Sequence, residues 1–185
     1  PYTVINAGTI STTAASIDSN VSAIQIDDVA VTTLTNDGTM SAVDSGSIYN
    51  FGMHGINMNG NGANASIGTL TNSGTISGTL SNSSQGYGIR ANADSSTASI
   101  TTLTNAEGGT ISGTAGTTDG YGIYLDGYNA DASITITTLT NAEGGTISGT
   151  TSYSRGYGIY LEAGYLGSSD ASITITTLTN SGTIS

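Results

Sequence analysis

The sequence predicts an all-β fold: a right-handed parallel β-helix, a solenoid of about six coils with three main sheets and an internal asparagine ladder. Three observations carry this prediction. A phrase Leu-Thr-Asn, then a turn, then Gly-Thr-Ile-Ser recurs with its asparagine at Asn36, Asn72, Asn105, Asn141 and Asn180. A degenerate copy, Val4-Ile5-Asn6-Ala7-Gly8-Thr9-Ile10-Ser11, opens the chain, so successive asparagines lie 30, 36, 33, 36 and 39 residues apart. A near-constant interval of this size marks one supersecondary unit, repeated and stacked. Second, the segments within each unit alternate apolar with polar residues and are rich in Thr, Ile and Tyr, which is the pattern of half-buried strands. Third, no segment carries a 3.6-residue apolar stripe, Gly occurs 27 times, and the one proline is Pro1. Helices are therefore disfavoured, and nothing interrupts strand pairing.

The elements of one unit follow in order. From Ile134 to Ala163 the chain reads Ile134-Thr135-Ile136, Thr138-Leu139-Thr140-Asn141, Gly145-Thr146-Ile147-Ser148-Gly149 and Gly156-Tyr157-Gly158-Ile159-Tyr160-Leu161. Inward columns run through Val4, Leu34, Leu70, Leu103, Leu139 and Leu178, and through Ile10, Met40, Ile76, Ile111, Ile147 and Ile184. A third holds Ile24, Ile56, Ile89, Ile123 and Ile159, and a fourth Val31, Ile67, Ile100, Ile136 and Ile175. Ile136 and Leu139 are three apart, so alternation slips at Thr137-Thr138 and a bulge or corner is expected there. The step from Asn to Gly-Thr is a tight corner. At Glu107-Gly108 and Glu143-Gly144 it is one residue longer, which a glycine with positive φ absorbs. The whole chain, 1–185, reads as one array with repeats at approximately 1–28, 29–64, 65–97, 98–131, 132–170 and an incomplete 171–185.

Composition excludes several classes of function. Thirteen carboxylates face two arginines, Arg90 and Arg155, without a lysine, for a net charge of −11. Such a chain repels phosphate backbones and anionic lipid headgroups, so neither nucleic-acid binding nor membrane insertion is expected. No apolar run approaches the ~20 residues of a membrane-spanning helix. The absence of cysteine rules out a disulfide framework and thiolate metal sites, and is compatible with export.

Each candidate site has a structural alternative. The column Asn6, Asn36, Asn72, Asn105, Asn141, Asn180 sits at the tight corner, where Asn tolerates left-handed geometry and its amide bonds the backbone and the next coil's amide; this is scaffold. The pairs Thr33/Thr35, Thr69/Thr71, Thr102/Thr104, Thr138/Thr140 and Thr177/Thr179 turn outward as two rows of hydroxyls and methyls. Tyr87, Tyr121 and Tyr157, with His54 at the equivalent position, share the parity of the inward isoleucines and are expected to point inward as a corner stack. Tyr124 and Tyr160 form an outward pair in the column of Arg90 and Asn57; with Tyr128, Tyr153 and Tyr165 they make a candidate contact surface for sugars or protein. Acids gather in the corners, and Asp126, Asp131, Glu162 and Asp170 are weak calcium candidates without a calcium-loop motif. No other cofactor and no catalytic residue is assigned: His54 is the sole histidine and has no catalytic partner.

Two resemblances bear on function. Thr69-Leu70-Thr71-Asn72-Ser73-Gly74-Thr75-Ile76-Ser77-Gly78 followed by Gly86-Tyr87-Gly88-Ile89 resembles the passenger regions of bacterial autotransporters and related adhesin-type surface proteins. That resemblance implies an extracellular β-helix at the bacterial cell surface. The Thr-x-Thr rows resemble the ice-binding face of β-helical antifreeze proteins, which implies an ordered-water surface. Neither Pro1 nor Ser185 is flanked by a distinct cap, so the array is expected either to continue in a longer chain or to stack head to tail on copies of itself. The expected function is therefore a non-enzymatic structural or adhesive β-helix, an adhesin stalk segment or filament subunit of a surface or biofilm matrix. Its partners are itself and cell-surface or matrix glycans or proteins. Ice binding is the alternative, and a carbohydrate-active β-helix enzyme the third.

Overall fold

A computed structural model describes residues 2–14, 20–44, 52–81, 84–164 and 170–185. Among these residues there are seventeen strands and no helix, and every ladder is parallel. The first sheet stacks β1 (Tyr2–Asn6), β4 (Ala30–Asn36), β7 (Ala65–Asn72), β10 (Thr97–Asn105), β13 (Ser133–Asn141) and β16 (Ser172–Asn180). The second stacks β2 (Thr9–Ala14), β5 (Thr39–Asp44), β8 (Thr75–Thr79), β11 (Thr110–Ala115), β14 (Thr146–Thr151) and β17 (Thr183–Ile184). The third stacks β3 (Val21–Asp27), β6 (Met53–Asn61), β9 (Gly86–Asp94), β12 (Gly120–Gly127) and β15 (Gly156–Ala163). The chain visits the sheets in rotation, so the fold is a three-sheet parallel β-solenoid.

Its length corrects the expected six coils to about four turns. In each of the first two sheets only four strands, β4, β7, β10, β13 and β5, β8, β11, β14, have a partner on both sides. The motif copies at Asn6 and Asn180 lie on rungs paired on one side, and counting motifs counts these as turns.

The aliphatic columns form one continuous core. Leu34, Leu70, Leu103 and Leu139 lie in register and are fully buried, as are Met40, Ile76, Ile111 and Ile147. Ile56, Ile89 and Ile123 supply the third sheet's share. Each such side chain contributes about 1.5–3 kcal/mol by leaving water. The expected slip is present as a bulge within a strand: the ladder passes from Ile100–Ile136 to Thr102–Thr138, skipping Thr101 and Thr137, while β13 runs on unbroken. The longer corners turn on Gly108 (φ 73°) and Gly144 (φ 75°), as their extra residue requires.

Two constraints position everything else. The first is a glycine seam between the second and third sheets. A Cβ on Gly113 would lie 2.1 Å from the Tyr121 carbonyl oxygen and 2.2 Å from that of Gly86; one on Gly78 would lie 2.0 Å from that of Met53. Backbone meets backbone there, and no other residue fits. The second is the asparagine ladder. Nδ2 of Asn6, Asn36, Asn72, Asn105 and Asn141 each donates at 2.8 Å to Oδ1 of the asparagine one coil on. The same nitrogens reach the carbonyls of Thr39, Thr75, Thr110, Thr146 and Thr183 at 3.0–3.1 Å. Asn36, Asn72, Asn105 and Asn141 are completely buried. None of the six has positive φ, so the column is selected by amide bonding alone and left-handed tolerance plays no part.

Truncating an inner rung therefore strands its neighbours. Asn105→Ala is expected to cost about 2–4 kcal/mol, because a buried group left without its partner costs ~1–3 kcal/mol. Asn180→Ala, on an exposed rung, should cost under about 1 kcal/mol. Urea denaturation of both variants measures the difference; equal losses would refute the ladder's role.

Candidate functional site

The outer face of the third sheet gathers most of the unusual side chains. Its sequence reads Gly-Tyr-Gly-Ile-Tyr-Leu in β12 and β15, and strict alternation would put Tyr121 with Ile123 on the inside. The structure overturns that placement. The ladders pair Tyr121 with Tyr87 and Tyr157, and Ile123 with Ile89 and Ile159, but skip Gly122. A Cβ on Gly122 would meet the Gly158 oxygen at 2.5 Å and the Ile147 side chain at 2.9 Å. The slip at this glycine turns Ile123 into the core and leaves Tyr121 on the same face as Tyr124.

Five tyrosines and a histidine then form an aromatic cluster separate from the aliphatic core. His54, Tyr87, Tyr121 and Tyr157 stack face to face along the axis, with centroids 4.8, 5.3 and 5.5 Å apart and planes within 11°. Tyr124 and Tyr160 stack beside them at 5.6 Å and tilt against Tyr121 and Tyr157 at 4.8 Å. Such contacts are worth about 0.5–1.5 kcal/mol each beyond area burial. The rings also cover one another. Tyr124 is 8% exposed, so the expected outward Tyr124/Tyr160 contact surface is corrected: it is packed ladder, with only Tyr160 half-exposed. Tyr153 (84%) and Tyr128 (39%) stand at the surface, and Tyr165 lies outside the described residues.

Polar groups at the rim satisfy the phenols. Tyr124 donates to Glu162 at 2.6 Å, Tyr121 to Asp119 at 3.2 Å and Tyr87 to Gln85 at 2.5 Å. Burial pushes the hydroxyls of Tyr87, Tyr121 and Tyr124 well above the usual phenol range, so all three remain donors. Arg90 pairs with Asp126 at 3.0 Å, yet Asp126 stays above the ordinary carboxylate value because its burial outweighs the guanidinium's pull. Asp119 shows the opposite balance: burial raises it, but hydrogen bonds from Ser154, the Arg155 N–H and Tyr121 prevail and hold it low. His54 is fully buried, with Nδ1 3.2 Å from the Val21 carbonyl. Burial, followed by the nearby Arg90 charge, lowers its pKa to about 3, so the ring is neutral at ordinary pH.

The remaining candidates disperse. Asp126 and Glu162 are neighbours in register but committed to Arg90 and Tyr124, and Asp131 occupies an exposed left-handed turn (φ 67°). Among the described residues no three His, Asp or Glu side chains gather to hold a metal ion, and Asp170 is brought to no such cluster. The threonine rows are real: Thr33, Thr69, Thr102, Thr138 and Thr177 lie in register, as do Thr35, Thr71, Thr104, Thr140 and Thr179. The bulge adds an exposed set beside them, Thr32, Thr101, Thr137 and Thr176, which alternation alone did not reveal. Among the described residues no helix is long and apolar enough to cross a membrane.

The chain matches no protein-family model, no curated protein and no solved structure.

His54 makes stability pH-dependent with a defined sign. Its folded pKa lies below the unfolded value of 6.5, so the unfolded chain binds the extra proton, and stability present above pH ~6.5 is lost as pH falls towards 3. Between pH 6.5 and 5, above the carboxylate range, the slope approaches about 1.4 kcal/mol per pH unit. His54→Tyr, which places the neighbouring coils' residue in the stack, should flatten it. Thermal melts of both proteins across that window test this, and identical slopes would remove His54 as the cause.

Proposed function

We propose that this chain is a non-enzymatic extracellular β-helix, right-handed and of the autotransporter-passenger type, serving as an adhesin stalk segment or filament subunit at a bacterial surface or in its matrix. The observation that carries the reading is the parallel stacking of all three sheets around one asparagine ladder, in register along the rod apart from a shift at Tyr2/Thr3 in β1. Repeating the same step along one axis makes a stiff rod, because bending it must break backbone ladders, side-chain amide bonds and apolar columns together. The right-handed sense follows from the general preference of parallel crossovers. The absence of a catalytic role is supported by a buried neutral histidine and by acids engaged with Arg90, Tyr121 and Tyr124.

The ladder also has a direction. Amide donors all point one way, so one end of the described array presents the Asn6 acceptor and the other the Asn180 donor. A further coil, from the same chain or from another copy, meets a matching register and a complementary amide only head to tail. Electron microscopy of the purified chain over a concentration series should show rods of constant width that lengthen with concentration. Persistent monodisperse particles at high concentration would sink the filament form of the proposal.

The in-register threonine rows favour a second reading, an ice-binding face. On that reading the parent protein produces thermal hysteresis, and Thr102→Tyr with Thr138→Tyr abolishes it. A parent without hysteresis or recrystallisation inhibition excludes it.

A further inference from the structure

The outer face of the third sheet holds a pocket of about 390 Å³ next to the aromatic cluster, spanning three successive strands. Asp27 and Asp28 line it from the end of β3 and its turn, Asn59 from β6, and Arg90, Asn92 and Asp94 from β9. Asp27, Asn59 and Asn92 are register partners, so they form one column of acceptors and donors at about 4.8 Å spacing. The same column continues as Asp126 and Glu162, where Arg90 and the tyrosines close it.

The groups are held in place before any ligand arrives. Asp28 sits at φ 51°, and its Oδ1 accepts the Asn61 N–H at 2.8 Å and the Ala63 N–H at 3.2 Å. Asp27 Oδ1 accepts from Gln25 at 2.6 Å and from Asn59 at 3.0 Å. Asp94 Oδ1 accepts from Asn129. All of these bonds fall on Oδ1. Beside the pocket two further polar atoms are buried without a hydrogen-bond partner among the described residues: Arg90 Nε, and Oδ1 of Asn57, a side chain 1% exposed that is Arg90's register partner. The accessible wall itself is the ordered set of carboxylates and amides from Asp27, Asp28, Asn59, Asn92 and Asp94.

The chemistry selects the ligand. Three carboxylates against one guanidinium, itself bound to Asp126, repel an anion. A metal ion would satisfy the carboxylates but neither the amide N–H groups nor Arg90, and among the described residues no three acids, those of this pocket included, come close enough together to hold one. Hydroxyl groups donate to the carboxylates and amide oxygens and accept from the amide nitrogens and the guanidinium. We propose that this pocket binds a neutral oligosaccharide, its hydroxyls spaced along the Asp27–Asn59–Asn92 column; this deepens the adhesive reading and rests on it for the biological setting.

The test uses the full chain on a printed array of neutral and acidic oligosaccharides, followed by calorimetry with the best-retained neutral sugar. Saturable binding is expected, unaffected by a chelator. Asn92→Ala and Asp27→Ala each weaken it about tenfold while melting close to the parent, and Thr137→Ala on the first sheet leaves it unchanged. Retention of acidic glycans alone, loss of binding with chelator, or full affinity in both pocket variants overturns the site. Rods in the micrographs with no neutral sugar bound remove the pocket and leave the rod; sugar bound by particles that never elongate does the reverse.

Discussion

A parallel stack sets each side chain directly over its counterpart one coil away, at about 4.8 Å, and the rest of the structure depends on that spacing. A column can repeat a residue only if the residue tolerates itself at that distance. Aliphatic side chains do, by simple packing, and aromatic rings do, because 4.8–5.6 Å is close to stacking distance. Asparagine does uniquely well among polar residues, since a primary amide is donor on one side and acceptor on the other. Like charges do not: two carboxylates at this distance repel by about 1 kcal/mol in water and several times that near a protein surface. The 8% charged content follows from that constraint, and so does the confinement of most acids to corners.

The exception is instructive. Asp126 and Glu162 occupy adjacent rungs of one outward column. The repulsion is offset from both sides, Arg90 pairing with Asp126 and the Tyr124 hydroxyl donating to Glu162. Towards the other end of the same column the rungs are Asn92, Asn59 and Asp27, so amides separate the next acid by two steps. A single column thus contains a charge-paired half and an amide-spaced half, and the polar pocket forms in the second.

Columns of identical residues were legible in the sequence because identity at fixed spacing is what stacking demands. Leu103 over Leu70, Ile111 over Ile76 and Asn105 over Asn72 could all be read directly, and so could the bulge at Thr137, from a spacing of three between apolar residues. The tyrosines could not. Reading parity across Gly122 assumes that glycine takes a full step in the pleat, whereas its missing side chain lets the ladder skip it and reverses the parity of Tyr121. The glycine seam was hidden for a related reason. Gly78 and Gly113 look like strand boundaries in sequence, and only three-dimensional convergence of two sheets shows that a Cβ has no room there. The number of turns also escaped, since a motif at an open rung reads the same as one enclosed between neighbours.

The contrast among the sheets bears on where specificity resides. In the first sheet, the columns through Leu103, Thr104 and Asn105 repeat one residue type over four or more rungs, which leaves nothing to distinguish one position along the rod from another. In the third, a single column reads Gln25, Asn57, Arg90, Tyr124 and Tyr160, and its neighbour reads Ser22, His54, Tyr87, Tyr121 and Tyr157. A uniform face can recognise only something equally periodic, such as another coil or an ordered water layer. A face whose chemistry changes from rung to rung defines a unique position, because its amide half and its aromatic half meet once, at Arg90. On the proposed reading, recognition of a discrete ligand falls on that sheet, and the uniform sheets supply the rod that carries it.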